Sequence, residues 1–325
     1  AASFRLSFSD RAGRWNGLQT LRQLLASDGG GVPLCHIEDS PDLPVRGVLL
    51  DISRNRVPTM KTLFGLIDQL SRIKINHLQL YTEHTFAYQN HREVWDGGSP
   101  LTASEVVELD RYCSDHGIEL VPNQNSVGHM ERWLRHPRYQ HLAESPRGFE
   151  DPWGIYRSHG STLSPAVEGT RAFLGELYDE LLPNFESRTL NIGGDEPWEL
   201  CGGRSREIFE ERGNGRVYLD FLSDIHRLLS ERNIRMMFFG DIITQYPELV
   251  PEIPRDAVVV DWGYERNHPF DEGKLAEQMV QDTVAAITEK SGGAWSYRVT
   301  NCDRSIGARL SGKLHLLRPD PVFMA

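Results

Sequence analysis

Cysteine is scarce in this chain: four residues in 325, at positions 35, 113, 201 and 302, with no CxxC pair. That spacing does not fit a zinc ribbon or a dithiol redox motif. Free thiols in a reducing compartment are the expectation, and with them a cytoplasmic location. Secretion stays open for a chain whose leader has been removed, because AASFRLSFSD has neither the basic start nor the apolar run of a signal peptide. No stretch approaches the ~20 apolar residues that span a bilayer. Positive charge is in short supply as well, with 35 Lys and Arg against 46 Asp and Glu and a formal net charge of -11. This argues against nucleic acid or an anionic membrane as partner. A small-molecule or oligosaccharide substrate is expected instead. GxGxxG, GxSxG, HExxH and Walker motifs are all missing.

What is present is a regular alternation. RGVLLDIS (46–53), INHLQLY (75–81), IELVPNQ (118–124), TLNIGG (189–194), IRMMFFG (234–240) and AVVVDWG (257–263) read as strands. Between the first two, Leu63, Leu66, Ile67, Leu70 and Ile73 keep a helical period behind Pro58, a residue suited to an early helical position. TASEVVELDRYCSDHG opens with Thr102 and Glu105 at capping-box spacing and closes at Gly117. Further helices are expected over 165–182, 216–231 and about 272–290. Ahead of them, FRLSFS reads as a short strand and NGLQTLRQLLAS as a helix capped by Asn16. Residues 125–164 form a long loop rich in His, Trp and Pro.

The order βαβα with nearly continuous apolar strands predicts an α/β fold whose parallel sheet is covered on both faces. An open doubly wound sheet and a barrel both satisfy it. Polar residues gather where strands end, which favours a (β/α)8 TIM-like barrel. Only six strands are convincing, so the barrel is expected to be incomplete or atypically closed after the sixth. Residues 1–43 read as a remnant of an N-terminal accessory α/β domain, and 44–325 as the barrel with an atypical tail from about 291, where WSYRV and KLHLL are two short strand candidates. Bare sheet edges invite pairing with another chain, and a homodimer is expected on that ground.

The chemistry centres on TLNIGGDEPWEL (189–200), where a strand runs into two glycines and then Asp195 and Glu196 side by side. Adjacent residues of an extended strand point to opposite faces, but glycines at its exit let both carboxylates reach one cavity. Close carboxylates raise at least one pKa, which makes one a general acid while its neighbour stays ionised. Glycoside hydrolysis needs that division of labour. Solvated loop positions or helix caps are the plain alternative. Tryptophans 133, 153, 198 and 262 offer indole faces for sugar rings, and Arg46, Asp51, Glu83, Asn125, His129 and Asp241 offer polar partners for hydroxyls. Each singly is as readily structural. His, Asp and Asn from several strands would also serve a metal-dependent barrel hydrolase.

NIGGDEPW resembles the Asp-Glu signature of the glycoside hydrolase family 20 β-N-acetylhexosaminidases, and the likeness extends in order along the chain. NGLQTLRQLL resembles the stretch leading into their barrel. RGVLLDISRNRVP and KINHLQLYTEHTF are similar to the first two barrel strands, and PNQNSVGH to the strand ending in a Gly-His pair. FFGDII follows the fifth strand and VVVDWGY resembles the sixth. YTEHTFAY is closer to single-barrel intracellular or divergent bacterial members than to lysosomal ones. The resemblance implies a retaining exo-enzyme that removes terminal β-linked GlcNAc or GalNAc, in which the substrate's own acetamido oxygen forms an oxazolinium ion. It implies Glu196 as general acid and then base, and Asp195 as the residue that orients the acetamido group. Arg46 is then a sugar contact, Trp262 and Asp241 pocket residues, and Glu83 and His129 a supporting network; Asn125 and Trp198 remain substrate-binding candidates from their place after strands and beside the pair. No metal or organic cofactor is implied. The family's tyrosine, further tryptophan and acid from the last two strands have no clear counterpart; Trp295 and Tyr297 are the candidates. A catalytically weak aminosugar-binding barrel is the alternative that this tail leaves open.

Overall fold

The computed structural model describes residues 4–27, 34–54 and 56–262. Six short parallel strands carry the fold: β1 (Gly47–Asp51), β2 (His77–Tyr81), β3 (Glu119–Val121), β4 (Thr189–Asn191), β5 (Arg235–Phe239) and β6 (Val258–Val260). β1 pairs with β2 from Gly47–His77 to Asp51–Tyr81, and β2 with β3 from His77–Glu119 to Gln79–Val121. β4, β5 and β6 pair in the same sequential, parallel way. A bridge between Asn123 and Asn191 joins the two halves. There the Asn191 amide donates to the Pro122 carbonyl and the Gln124 amide to the Asn191 carbonyl, both at 2.9 Å. Pro122 is tolerated because the ladder asks it only to accept. The strand order therefore equals the chain order, the arrangement of a TIM-like barrel. Among the described residues β1 and β6 do not meet, so the barrel stays open between them. The expected helix over 272–290 and the tail strands lie outside the described residues.

Crossover helices cover the outside: α1 (Arg11–Ser27), α2 (Met60–Arg72), α3 (Ala103–Asp115), α4 (Gly169–Leu181) and α5 (Asn214–Ser230). Thr59 caps α2 by accepting from the Thr62 amide, which leaves Pro58 one position outside the helix rather than in it. The Thr102–Glu105 capping box of α3 forms as expected. Two expectations near the start are corrected. Residues 4–8 make no strand, and α1 begins at Arg11, so Asn16 lies inside it. Asp10 does the capping, with Oδ1 accepting from the Gly13 amide at 2.6 Å. Trp15 then anchors α1 by donating to Ser71 Oγ at 3.0 Å. No helix among the described residues is long and apolar enough to cross a membrane.

Strand alternation separates two cores. Met236 and Phe238 of β5 face the helices, in one cluster with Leu63, Ile67, Leu78, Leu109, Leu190 and Leu222. Met237 and Phe239 point into the barrel with Tyr81, Val258 and Val260. The barrel interior is not wholly apolar. Asn191 Nδ2 donates to Gln79 Oε1 at 2.9 Å, and Gln79 Nε2 lies 2.9 Å from His77 Nε2 and 3.1 Å from Met237 Sδ. This buried polar line sits directly below the strand mouths and ties β2 to β4.

Burial pushes His77 down to a pKa of about 4, so the folded protein holds it neutral. The unfolded chain binds a proton there near pH 6.5, so unfolding is favoured between about pH 6.5 and 4. Urea midpoints are expected to fall through that window for the wild type and to fall less for His77→Gln, which has no proton to gain.

Candidate active site

At the top of β4 the chain turns through Gly193 and Gly194, with φ of 69° and 96°. A Cβ at position 193 would stand 2.0 Å from Asn125 Oδ1, so both the backbone angle and the space demand glycine there. Glu196 itself sits at φ 46°, a left-handed conformation rare for its type, and its amide donates to Asp241 Oδ2 at 3.2 Å. These turns are how two neighbouring carboxylates come to face one side. Asp195 Oδ2 lies 3.3 Å and Glu196 Oε2 3.5 Å from the same atom, His129 Nε2. His129 is also left-handed, at φ 56°. The Gly128 before it presses on the catalytic turn, where a Cβ would fall 2.5 Å from the Asp195 carbonyl oxygen.

The ring of charge continues outward. His129 Nδ1 lies 4.0 Å from Glu83 Oε1, which is 3.4 Å from Arg54 Nη2. Arg54 Nη1 holds Asp51 at 2.6 Å, and its guanidinium lies over the Tyr81 ring, 4.8 Å from the centroid. Burial alone would lower the His129 pKa, but Asp195 beside it and the charges of Glu83 and Glu131 raise it to about 9. Burial pushes Glu83 up to about 7 against the pull of Arg54. Burial, then the charge of Asp195, brings Asp241 to about 7. Glu196 is raised too, first by burial and then by Asp195, while His129 and Arg54 oppose the shift. Its side chain is 32% exposed, against 13% for Asp195 and 8% for Glu83. Glu196 is thus the carboxyl of the pair most open to an incoming ligand, with its pKa raised by burial. Ligating atoms of His129, Asp195 and Glu196 lie within 4.8 Å of one another, a spacing that a metal would also accept.

Other expected residues fall in different places. Arg46 precedes β1 and lies at the opposite end of the barrel from Glu196. Its guanidinium donates to the carbonyls of Lys74, Leu43 and Pro44, so it closes a turn and the sugar-contact role is corrected. Arg54, eight residues on and past the other end of β1, is the arginine in the site. Asn125 is fully buried in the wall, where its amide donates to the Thr82 carbonyl; it supports Gly193 rather than facing a ligand. Trp133 is core, packed edge-on to Tyr88 and Phe173, with Nε1 donating to the Glu83 carbonyl at 2.6 Å. Trp198 borders the site, 6.1 Å from the His129 ring and 5.0 Å from Trp153. Trp262 follows β6 and packs on the barrel-interior cluster beside Asp241. Trp295 and Tyr297 lie outside the described residues.

Glu199 was not singled out by sequence reasoning. It is buried, and it accepts from the amides and hydroxyls of both Ser161 and Thr162 at 2.5 to 2.9 Å. The Ser161 carbonyl in turn accepts from the Met130 amide next to His129, at 2.7 Å. Glu144 does the same below it, accepting from Ser164, Gly203 and Ser205. These two carboxylates lock the loop of His129 to the loop of Glu196. The only available signal was their apolar context in sequence.

A parallel barrel with a carboxylate pair and a histidine at its strand mouths is an arrangement fitted to acid–base chemistry. The comparisons agree. Residues 44–289 match the family described as glycosyl hydrolase family 20, catalytic domain, and the chain belongs to that family. It is similar to a beta-hexosaminidase of Akkermansia muciniphila, 27% identical over 221 residues, covering 60% of this chain and 44% of that protein. It is also similar to the beta-hexosaminidase subunit beta of Rattus norvegicus, 27% identical over 261 residues, covering 74% and 47%. The chain spans about half the length of the curated relatives it matches. Among solved structures, the beta-N-acetylhexosaminidase of Bacteroides fragilis NCTC 9343 superposes with a TM-score of 0.67 at 22% identity, covering 90% of this chain and 57% of that one. The exo beta-N-acetylglucosaminidase of Vibrio harveyi, in complex with N-acetylglucosamine, gives 0.64 at 18%, covering 78% and 44%. At these identities the superpositions establish the fold.

Glu199→Ala would leave four donors facing a void. It is expected to lower the unfolding free energy by about 2 kcal/mol or more, read as a drop in the urea midpoint; an unchanged midpoint would remove Glu199 from the account.

Proposed function

We propose that the chain is an exo-acting, retaining β-N-acetylhexosaminidase that removes terminal β-linked GlcNAc or GalNAc. The observation that carries this reading is the convergence of Asp195 and Glu196 on His129, with the more exposed Glu196 held above its usual pKa. Glu196 gives its proton to the glycosidic oxygen as the bond from that oxygen to the anomeric carbon breaks. The acetamido carbonyl oxygen of the same sugar bonds to that carbon, and an oxazolinium ion results. Asp195, 3.3 Å from the His129 ring, accepts the acetamido N–H and stabilises the cation. Water then adds to the anomeric carbon, Glu196 takes its proton back, and the oxazolinium ring opens with the β configuration retained. Arg54 takes the sugar-hydroxyl role once given to Arg46. Trp198 and Trp262 supply apolar walls, and Asp241 holds the Glu196 amide. The relatives named as hexosaminidases, and the Vibrio harveyi enzyme solved with N-acetylglucosamine, support the aminosugar as substrate.

Release of nitrophenol from an aryl β-GlcNAc tests the reading. Glu196→Gln is expected to fall by ~10² or more relative to wild type, the size of a lost general acid. A chelator is expected to change neither rate. Equal rates in both proteins would leave only aminosugar binding, and loss on chelation would favour a metal hydrolase.

We also propose a homodimer, because β1 and β6 each have a partner strand on one side only among the described residues. Sedimentation at low micromolar concentration is expected to give twice the 37.0 kDa chain mass; a clean monomer contradicts it. A reducing compartment is proposed from the thiols of Cys35, Cys113 and Cys201, which are all free.

A further inference from the structure

Beside the catalytic mouth lies a second cavity, of about 240 Å³, that the mechanism does not use. It is built from the segments that follow β1, β2 and β3. Arg54, Arg56, Arg132 and His84 line it together with Ser53, Ser99 and Trp95, and no Asp or Glu does. That composition runs against the rest of the molecule, whose formal net charge is -11. Several other arginines pair with carboxylates, as Arg216 does with Glu252 and Arg232 with Asp179. Arg56 and Arg132 make no ion pair among the described residues. His84 Nδ1 is buried without a hydrogen-bond partner. Trp95 is fixed by its Nε1 donating to the Tyr88 carbonyl at 2.8 Å, so with Ile52, Val57 and Pro100 it gives the cavity one stiff apolar wall.

We propose that this cavity is a subsite for an anionic substituent, a carboxylate or a sulfate monoester, carried by the aminosugar that reaches Glu196. Guanidinium groups match both oxyanions in shape and charge, and Arg56 and Arg132 have no carboxylate of their own among the described residues to neutralise them. The two sites share Arg54, which touches Glu83 on the catalytic side and lines the cavity on the other. An anion held there is therefore one guanidinium away from the Glu83–His129–Glu196 chain. That places it on the reacting sugar or its immediate neighbour rather than on a remote effector. A largely apolar wall with a few convergent polar groups is the usual form of a small-molecule site. The inference rests on the hexosaminidase reading for its substrate and on the cavity alone for its charge preference.

The test compares wild type with an Arg56→Gln, Arg132→Gln double variant, both positions being exposed and outside the catalytic machinery. Substrates are 4-nitrophenyl β-GlcNAc and its 3-O-carboxyethyl and 6-O-sulfo derivatives, which distinguish the two anion sources. The wild type is expected to prefer one anionic derivative to the neutral glycoside. The double variant should stay within about twofold of wild type on the neutral glycoside and lose about tenfold or more in kcat/KM on the preferred anionic one. No anionic preference in wild type, or an equal loss on charged and neutral substrates, overturns the subsite. Should wild type cleave none of the three, the hexosaminidase reading fails and the cavity is judged by inorganic sulfate alone. Saturable shifts of the His84 ring resonances in wild type and none in the double variant would uphold an anion site; no saturable shift would overturn it.

Discussion

One imidazolium holds this site together. Asp195 and Glu196 are adjacent carboxylates aimed at one cavity, and two such charges ~4 Å apart repel by about 4 kcal/mol at the effective dielectric of a protein surface. His129, with Nε2 within 3.5 Å of both, converts that repulsion into a shared attraction. The same contact divides their roles. Asp195 is the closer and less exposed of the two, while Glu196 lies nearer solvent with its pKa raised by burial.

That contact requires unfavourable backbone. His129 and Glu196 are both left-handed, a conformation that costs non-glycine residues of order 1–3 kcal/mol each. The structure offsets this strain from beneath and from the sides. Gly128 and Gly193 let the two loops approach more closely than any side chain would permit. Glu199 and Glu144 bind eight amide and hydroxyl hydrogens between them across the loops, so the strained turns have few ways to relax. Below, the Asn191–Gln79 bond fixes the mouth of β4 against β2, and Trp133 pins the Glu83 backbone. Rigidity at the strand mouths is thus the sum of several buried polar contacts rather than of apolar packing alone.

The fold was legible because its signals are local. The apolar runs and the helical periods place six strands and the helices between them, and Thr102 with Glu105 marks a helix start that the structure reproduces. The carboxylate pair was legible because GGDE ends a strand. What was not legible depends on which end of a strand a residue occupies and on what lies across the barrel. Arg46 and Arg54 flank the same strand, and only parallel topology reveals that the second is at the mouth. Asn125 and Trp133 have the composition of ligand contacts, but tertiary packing turns them into the wall. The role of Glu199 is hidden in the sequence, since its partners lie 37 and 38 positions away and only its apolar context sets it apart. The arginine-lined cavity is likewise assembled from three segments that are apart in the chain, and an overall charge of -11 conceals it.

The central claim is geometric, and a crystal structure with an aminosugar thiazoline, which imitates the cyclised intermediate, tests it most directly. The account predicts the Asp195 carboxylate against the thiazoline nitrogen, the Glu196 carboxyl at the anomeric face, and His129 still between the two. A ligand bound elsewhere, or bound here with either carboxyl turned away from it, would contradict the account.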